Sequence, residues 1–144
     1  MTTVECSIVI NAPPAAIDAI ALDGAHLPQW YVGVEQATPD DLYPEVGSRI
    51  ALVYRAVEGT FHLALTVQEL AHGHHIAYQM SGMIIGTQEW HYAPEAGQTR
   101  LTALIDYNLP SGALGKIADK LVFERMNARN LEKSLENLKA LVEG

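Results

Sequence analysis

Residues 113–143 read ALGKIADKLVFERMNARNLEKSLENLKALVE, and this stretch decides the fold. Leu114, Ile117, Leu121, Ala128, Leu131, Leu135, Leu138 and Val142 recur at helical spacing and fall on one stripe. The spacing predicts a single long helix from Ala113 to Glu143. At about 1.5 Å of rise per residue it would span more than about 40 Å. In a chain of 144 residues, a helix of that length must cross the whole face of whatever it packs on. Its beginning is marked by Leu109-Pro110-Ser111-Gly112, a stop between elements.

The preceding chain supplies the partner. Val4 to Ile10 alternates, with β-branched residues at Val4, Ile8, Val9 and Ile10, and reads as a strand. Asn11-Ala12-Pro13-Pro14 ends it, and proline suits the first turn of a helix. Ala15 to Leu22 follows as a short helix, Asp23-Gly24 breaks it, and Ala25 to Tyr31 forms a second one. From Val34 the pattern is β, in segments near 34–38, 48–57, 60–70, 74–80, 84–93 and 98–109. Turn signals separate them at Pro39-Asp40-Asp41, Glu58-Gly59, His72-Gly73-His74, Ser81-Gly82 and Glu95-Ala96-Gly97. Connections this short predict sequential antiparallel hairpins.

Parity assigns the faces. Ile50, Leu52 and Tyr54 oppose Arg49 and Arg55; Phe61, Leu63, Leu65 and Val67 oppose His62, Thr66 and Gln68. Ile76, Tyr78 and Met80 oppose Gln79, while Gln88, Trp90 and Tyr92 oppose Glu89 and His91. Leu101, Ala103, Ile105 and Tyr107 oppose Arg100, Thr102 and Asp106. One apolar and one polar face describe a half-covered antiparallel sheet. The expectation is therefore an α+β chain: about seven strands, curved around a long C-terminal helix, with two short helices after the first strand.

Several pieces in this order resemble a known family. They are Val9-Ile10-Asn11-Ala12-Pro13 leading into a short helix, Leu27-Pro28-Gln29-Trp30-Tyr31, and Gly47-Ser48-Arg49. Then come Glu89-Trp90-His91-Tyr92, Gly97-Gln98-Thr99-Arg100-Leu101-Thr102, and the closing run from Leu131 to Lys139. Together they are similar to the START and polyketide cyclase/dehydrase superfamily, whose helix-grip fold is shared with pollen-allergen-type ligand binders. The resemblance implies the helix-grip fold and a cavity between sheet and helix. It does not imply one activity, because the superfamily spans lipid carriers, cyclases, hormone-receptor-like binders and co-chaperone-like domains.

Composition narrows the function classes. The length suits one domain over residues 1–144, with enough chain to bury a core. Nine basic against seventeen acidic residues, a net charge of −8, argue against a surface that tracks nucleic-acid phosphates or anionic lipid. No run reaches the roughly 20 apolar residues of a membrane span. The N-terminus does not read as a secretory signal. Cys6 is the sole cysteine, so no internal disulfide can form, and its parity with Val4 and Ile8 predicts a buried, inert thiol. These features suit a reducing cytoplasm.

The candidate site follows from the inward face. Tyr54, Tyr78, Gln88, Trp90 and Tyr107 point in, Leu65 and Met80 add apolar wall, Leu121 faces them from the helix, and Trp30 and Tyr31 cap one end. Each aromatic alone could be plain core. Several polar-tipped side chains on one inward face each need a partner when buried, and a ligand supplies it. Glu124 falls within the helix stripe between Leu121 and Ala128. A carboxylate there is costly unless paired. It is either a structural partner for Arg125, Arg129 or a tyrosine, or a cavity group able to act as a general base. The apolar run Leu121-Val122-Phe123 suits core, cavity mouth or a homodimer contact. His72, His74 and His75 cluster on an exposed turn, where a physiological metal site is not expected, and His26 reads as a surface residue near the cavity mouth. No cofactor motif is present. The leading reading is a carrier or binder of a hydrophobic small molecule, such as a lipid, polyketide-like aromatic or isoprenoid. The alternatives are a cyclase or dehydratase using Glu124 and Tyr54, Tyr78 or Tyr107, and an interaction module with a filled core.

Overall fold

The computed structural model describes residues 1–56 and 59–144. Strand β1 (Thr2–Ile10) is followed by helix α1 (Pro14–Ala21) and a short 3-10 segment over Gly24–Gln29. Six strands follow: β2 (Val34–Pro39), β3 (Arg49–Ala56), β4 (Gly59–Ala71), β5 (His75–Gly82), β6 (Ile85–Glu95) and β7 (Gln98–Asn108). Two helices close the chain, α2 (Ser111–Leu114) and α3 (Lys120–Glu143). The expected Glu58 turn lies outside the described residues.

One antiparallel sheet carries all seven strands in the order β1-β7-β6-β5-β4-β3-β2. Sequential hairpins account for β2 through β7, and β1 returns to pair with β7, Val4 opposite Ile105 and Ile8 opposite Leu101. Register shifts between Val34 and Gln36, and between Val67 and Glu69, insert the bulges that curve the sheet. Gly86 has φ +141°, and a Cβ there would overlap the Asp106 carbonyl. Only glycine lets β6 and β7 approach so closely.

The inward face is the one parity assigned. Ile50, Phe61, Val67 and Leu101 are fully buried, and α3 contributes Leu131, Leu135 and Leu138 from the other side. Each such side chain contributes about 1.5–3 kcal/mol on burial. The C-terminal half of α3 is also fixed by polar contacts. The Val32 N–H donates to Ser134 Oγ at 2.8 Å, and Asn137 Nδ2 donates to the Trp30 carbonyl at 3.2 Å. Lys139 Nζ donates to the Val9 carbonyl at 2.8 Å, and the Asn11 N–H donates to Glu143 at 2.8 Å. These four bonds tie α3 to the end of β1 and to the loop after the 3-10 segment.

The single helix expected over residues 113–143 is corrected. The chain leaves α2 at Gly115 and begins α3 at Lys120. Asp119 caps the new helix, accepting from the N–H groups of Leu121 at 3.0 Å and Val122 at 3.2 Å. The break resets the helical phase. The inward positions of α3 begin at Phe123, which is buried, while Leu121 and Val122 face solvent.

Candidate ligand-binding site

Where the N-terminal half of α3 crosses the sheet, side chains do not fill the interior. The space open to the centre of a water molecule is about 60 Å³, against roughly 10–15 Å³ needed for one water. All non-atom space, counted through to the mouth, is about 580 Å³. Leu52 and Leu63 from the sheet, Met80 and Ile105 beside them, and Leu131 from α3 make an apolar wall. Among the described residues, no charged side chain lines it.

A chain of four polar side chains crosses this wall. Asn130 Nδ2 donates to the Tyr54 hydroxyl at 3.0 Å. Tyr54 donates to Asn127 Oδ1 at 2.7 Å. Asn127 Nδ2 donates to the Tyr107 hydroxyl at 3.1 Å. Each member donates to the next, so the chain polarises toward its end. Tyr107 holds the last proton, with the Thr2 hydroxyl beside it. Alternation places both tyrosines: Tyr54 and Tyr107 stand at inward positions of β3 and β7. Helical spacing brings Asn127 and Asn130 to the same face of α3. Gly33, at φ +97°, leaves room for the Tyr54 ring; a Cβ there would overlap it.

Burial sets the protonation. It pushes the Tyr54 hydroxyl up to about 12, against a smaller downward pull from its bond to Asn130. Burial likewise raises Tyr107 and Tyr31. All three are neutral hydrogen-bond donors at physiological pH.

A smaller chamber of about 20 Å³ lies deeper, toward α1. Trp30, Tyr78, Trp90, Tyr92 and Leu65 line it. Tyr31 and Gln88 border both spaces and separate them. The rings of Trp30 and Trp90 meet edge to face at 5.8 Å, and Tyr31 lies 5.4 Å from Trp30. Trp90 Nε1 donates to Gln88 Oε1 at 3.1 Å. The Tyr78 hydroxyl shares a 2.7 Å hydrogen bond with Tyr43, and Tyr92 lies near the Asp18 carboxylate.

The structure thus brings Tyr31, Tyr54, Met80, Gln88 and Tyr107 to the outer cavity and Trp30, Leu65, Tyr78 and Trp90 to the inner chamber. Leu121 is 55% exposed and lies outside both. Glu124 lies in neither: it borders a separate pocket of about 100 Å³ with Thr2, Leu109, Lys120 and Tyr107. Its carboxylate accepts from Thr2 Oγ1 at 3.2 Å, with Lys120 Nζ at 3.9 Å. Its partners are therefore Thr2 and Lys120, whereas the sequence pointed to Arg125, Arg129 or a tyrosine. Cys6 is half-buried at the cleft between β1 and α3, with its thiol pKa raised by burial. The histidines of the β4–β5 turn are paired at the surface, His72 with Asp18 and His75 with Glu69, and His26 pairs with Asp23.

Asn127 and Asn130 were not among the residues the sequence singled out. The search for an apolar stripe passes over amides, and the unbroken-helix phase turned them away from the cavity. Their signal is spacing: Asn127 lies one helical turn from both Phe123 and Leu131, and Asn130 two turns from Phe123 and one from buried Ser134.

The profile of the family described as "Polyketide cyclase / dehydrase and lipid transport" matches residues 1–143. The chain belongs to this family. Among solved structures, this family member is similar to TTHA0849 from Thermus thermophilus, at 22% identity and TM-score 0.81 over 99% of this chain and 97% of that one. It is similar to the Zhui aromatase/cyclase from Streptomyces sp. R1128, at 17% identity and TM-score 0.79 over 99% and 93% of the two chains. It is also similar to Ara h 8.0201, at 11% identity and TM-score 0.69 over 99% and 97%. At these identities the likeness is one of fold. No curated protein matches the sequence significantly. Among the described residues, no helix is long and apolar enough to cross a membrane.

Proposed function

We propose that this polyketide cyclase/dehydrase and lipid transport family member binds a neutral, mostly apolar small molecule between the sheet and the N-terminal half of α3. One oxygen of the ligand, a carbonyl or hydroxyl, accepts the Tyr107 proton. The observation that carries this reading is an apolar cavity crossed by a single Tyr/Asn hydrogen-bond chain, with no charged side chain among the described lining residues. An isolated ligand charge would be buried there without a counter-ion, at high cost. A carbonyl would meet a donor already polarised by the amides behind it. Family membership supports the same ligand class. A small lipid, a polyketide-like aromatic or an isoprenoid alcohol or ketone fits the description.

The cyclase reading draws on the same donors. Tyr107 and Asn127 could hold an enolate oxygen. Tyr107 borders both the cavity and the Glu124 pocket, so a base at Glu124 would act from across that ring. Binding needs no such step and is the reading preferred.

Native mass spectrometry of gently purified protein, followed by denaturing extraction, tests the proposal. The expected result is a neutral apolar molecule that leaves on denaturation. If only carboxylates or phosphates co-purify, or if added neutral ketones and alcohols never bind, the reading is wrong.

A further inference from the structure

The inner chamber contains one polar group that the binding reading leaves unused. Trp30 is 3% exposed, and its indole Nε1–H has no hydrogen-bond partner among the described residues. Buried polar groups are nearly always bonded, so an orphan donor in a chamber wall calls for an acceptor. The neighbouring polar groups are engaged, Trp90 with Gln88 and Tyr78 with Tyr43, and Tyr92 has the Asp18 carboxylate near it. A buried water makes about three hydrogen bonds. This chamber offers it few free partners besides Trp30, so a ligand atom that needs only one donor is the better match.

The partition between the two spaces is weak. Gln88 Nε2 reaches the Tyr31 hydroxyl at 3.5 Å, at the limit of hydrogen bonding, and the Met80 sulfur, a weak acceptor, at 3.5 Å. The bond from Trp90 to Gln88 Oε1, at 3.1 Å, is the strongest of the three. A slim ligand end that displaces the two weak contacts loses little and reaches Trp30. The chamber, at about 20 Å³ against roughly 10–15 Å³ for one water, takes only a small group and excludes a ring.

We propose that Trp30 is a specificity-determining residue: the inner chamber takes the far end of the ligand, and the Trp30 indole N–H donates to an oxygen there. This rests on the cavity reading above and deepens it. The ligand class becomes a neutral molecule with an acceptor oxygen at each end of an apolar body, one end small.

Three compounds test this: acetophenone, para-diacetylbenzene and para-isopropenylacetophenone. The third keeps the shape of the second and lacks its second oxygen. Calorimetric titration of the wild-type protein should show the diketone binding about 5–10-fold more tightly than its isopropenyl counterpart, the worth of one buried hydrogen bond. In Trp30→Phe the gap between the two compounds should collapse to about twofold, the statistical advantage of a symmetric ligand. A measurement on the wild type alone covers a variant that fails to fold. The chain has two tryptophans, so its two indole proton resonances can be followed by NMR and assigned with Trp90→Phe. The diketone should move the Trp30 resonance downfield, and the isopropenyl compound should leave it in place. Equal affinities in the wild type, an unmoved Trp30 resonance, or a gap that survives Trp30→Phe overturns the proposal while acetophenone binding keeps the cavity reading intact. Failure of all three compounds to bind overturns both.

Discussion

Replacing Tyr54 with phenylalanine removes one oxygen and tests the polar chain at its centre. The ring keeps its place against Gly33, so packing is unchanged. Two hydrogen bonds vanish, the 2.7 Å bond to Asn127 and the 3.0 Å bond from Asn130. A neutral hydrogen bond contributes about 1 kcal/mol net, and more when its partner is left buried and unsatisfied. Here both freed amides border the cavity, where water can reach them, so the loss should be about 1–2 kcal/mol. In a domain of this size, each kcal/mol moves Tm by about 2–4 °C, giving a fall of about 2–8 °C. Thermal melts followed by circular dichroism measure it. The double-mutant cycle with Asn130→Ala should return a coupling of about 0.5–1.5 kcal/mol, as expected for direct partners. Affinity for acetophenone should weaken about 3–10-fold, because Tyr107 then sits at the end of a shorter, less polarised chain. A Tm within about 1 °C of wild type, with no coupling to Asn130, would refute the hydrogen-bond chain.

Other outcomes follow from the same geometry. Phe123 is buried in the first turn of α3, its ring 5.5 Å from Phe61 and 6.4 Å from Tyr107; Phe123→Ala should cost about 3–5 kcal/mol in urea unfolding, and a loss under about 1 kcal/mol would show that the helix start is not anchored there. Tyr43 and Tyr54 are both raised by burial from 10 to about 12. Below pH 10 their protons are bound in folded and unfolded chains alike, and their contribution to stability is fully present. Between pH 10 and about 12 the unfolded chain releases protons that the folded chain keeps, so stability should fall as pH rises. Tyrosinate absorbance that tracked the unfolded control through this window would contradict it. Glu124→Gln should leave acetophenone affinity within about twofold, since Glu124 does not line the cavity; a tenfold change would place the carboxylate at the ligand.

Most of the sheet could be read from the sequence because alternation is a local signal. Phe61, Leu63, Leu65 and Val67 declare their face within one strand, and the turns between strands are marked by glycine and aspartate. The C-terminal helix was less legible. Its periodicity is real, yet a five-residue break at residues 115–119 shifts the phase, and periodicity summed across a break points the wrong side inward. Leu121 was placed on the cavity for this reason and lies in solvent. The signals of the break were present in Gly115 and in Asp119, an N-cap residue directly before an apolar run. The aromatic part of the site was legible because tyrosine and tryptophan at inward strand positions are conspicuous. The amide part was not, because Asn127 and Asn130 carry no sequence signature of burial. Only the meeting of β3, β7 and α3 gives them partners.

The four bonds that tie α3 to main-chain groups of β1 and the loops lie in its second half, from Ser134 to Glu143, and the cavity lies under its first half. The helix is thus a cantilever, rooted at the C-terminal end and loaded at the tip. Lifting the tip would open the binding space at the cost of the Phe123 packing and the Asn127 and Asn130 bonds, while Leu135 and Leu138 in the root stay seated. Opening then costs a fraction of the global unfolding free energy. Size and chemistry at the tip can also change without touching the four main-chain bonds of the root. The root's main-chain anchors and the polar contacts that face the ligand are written into different turns of one helix.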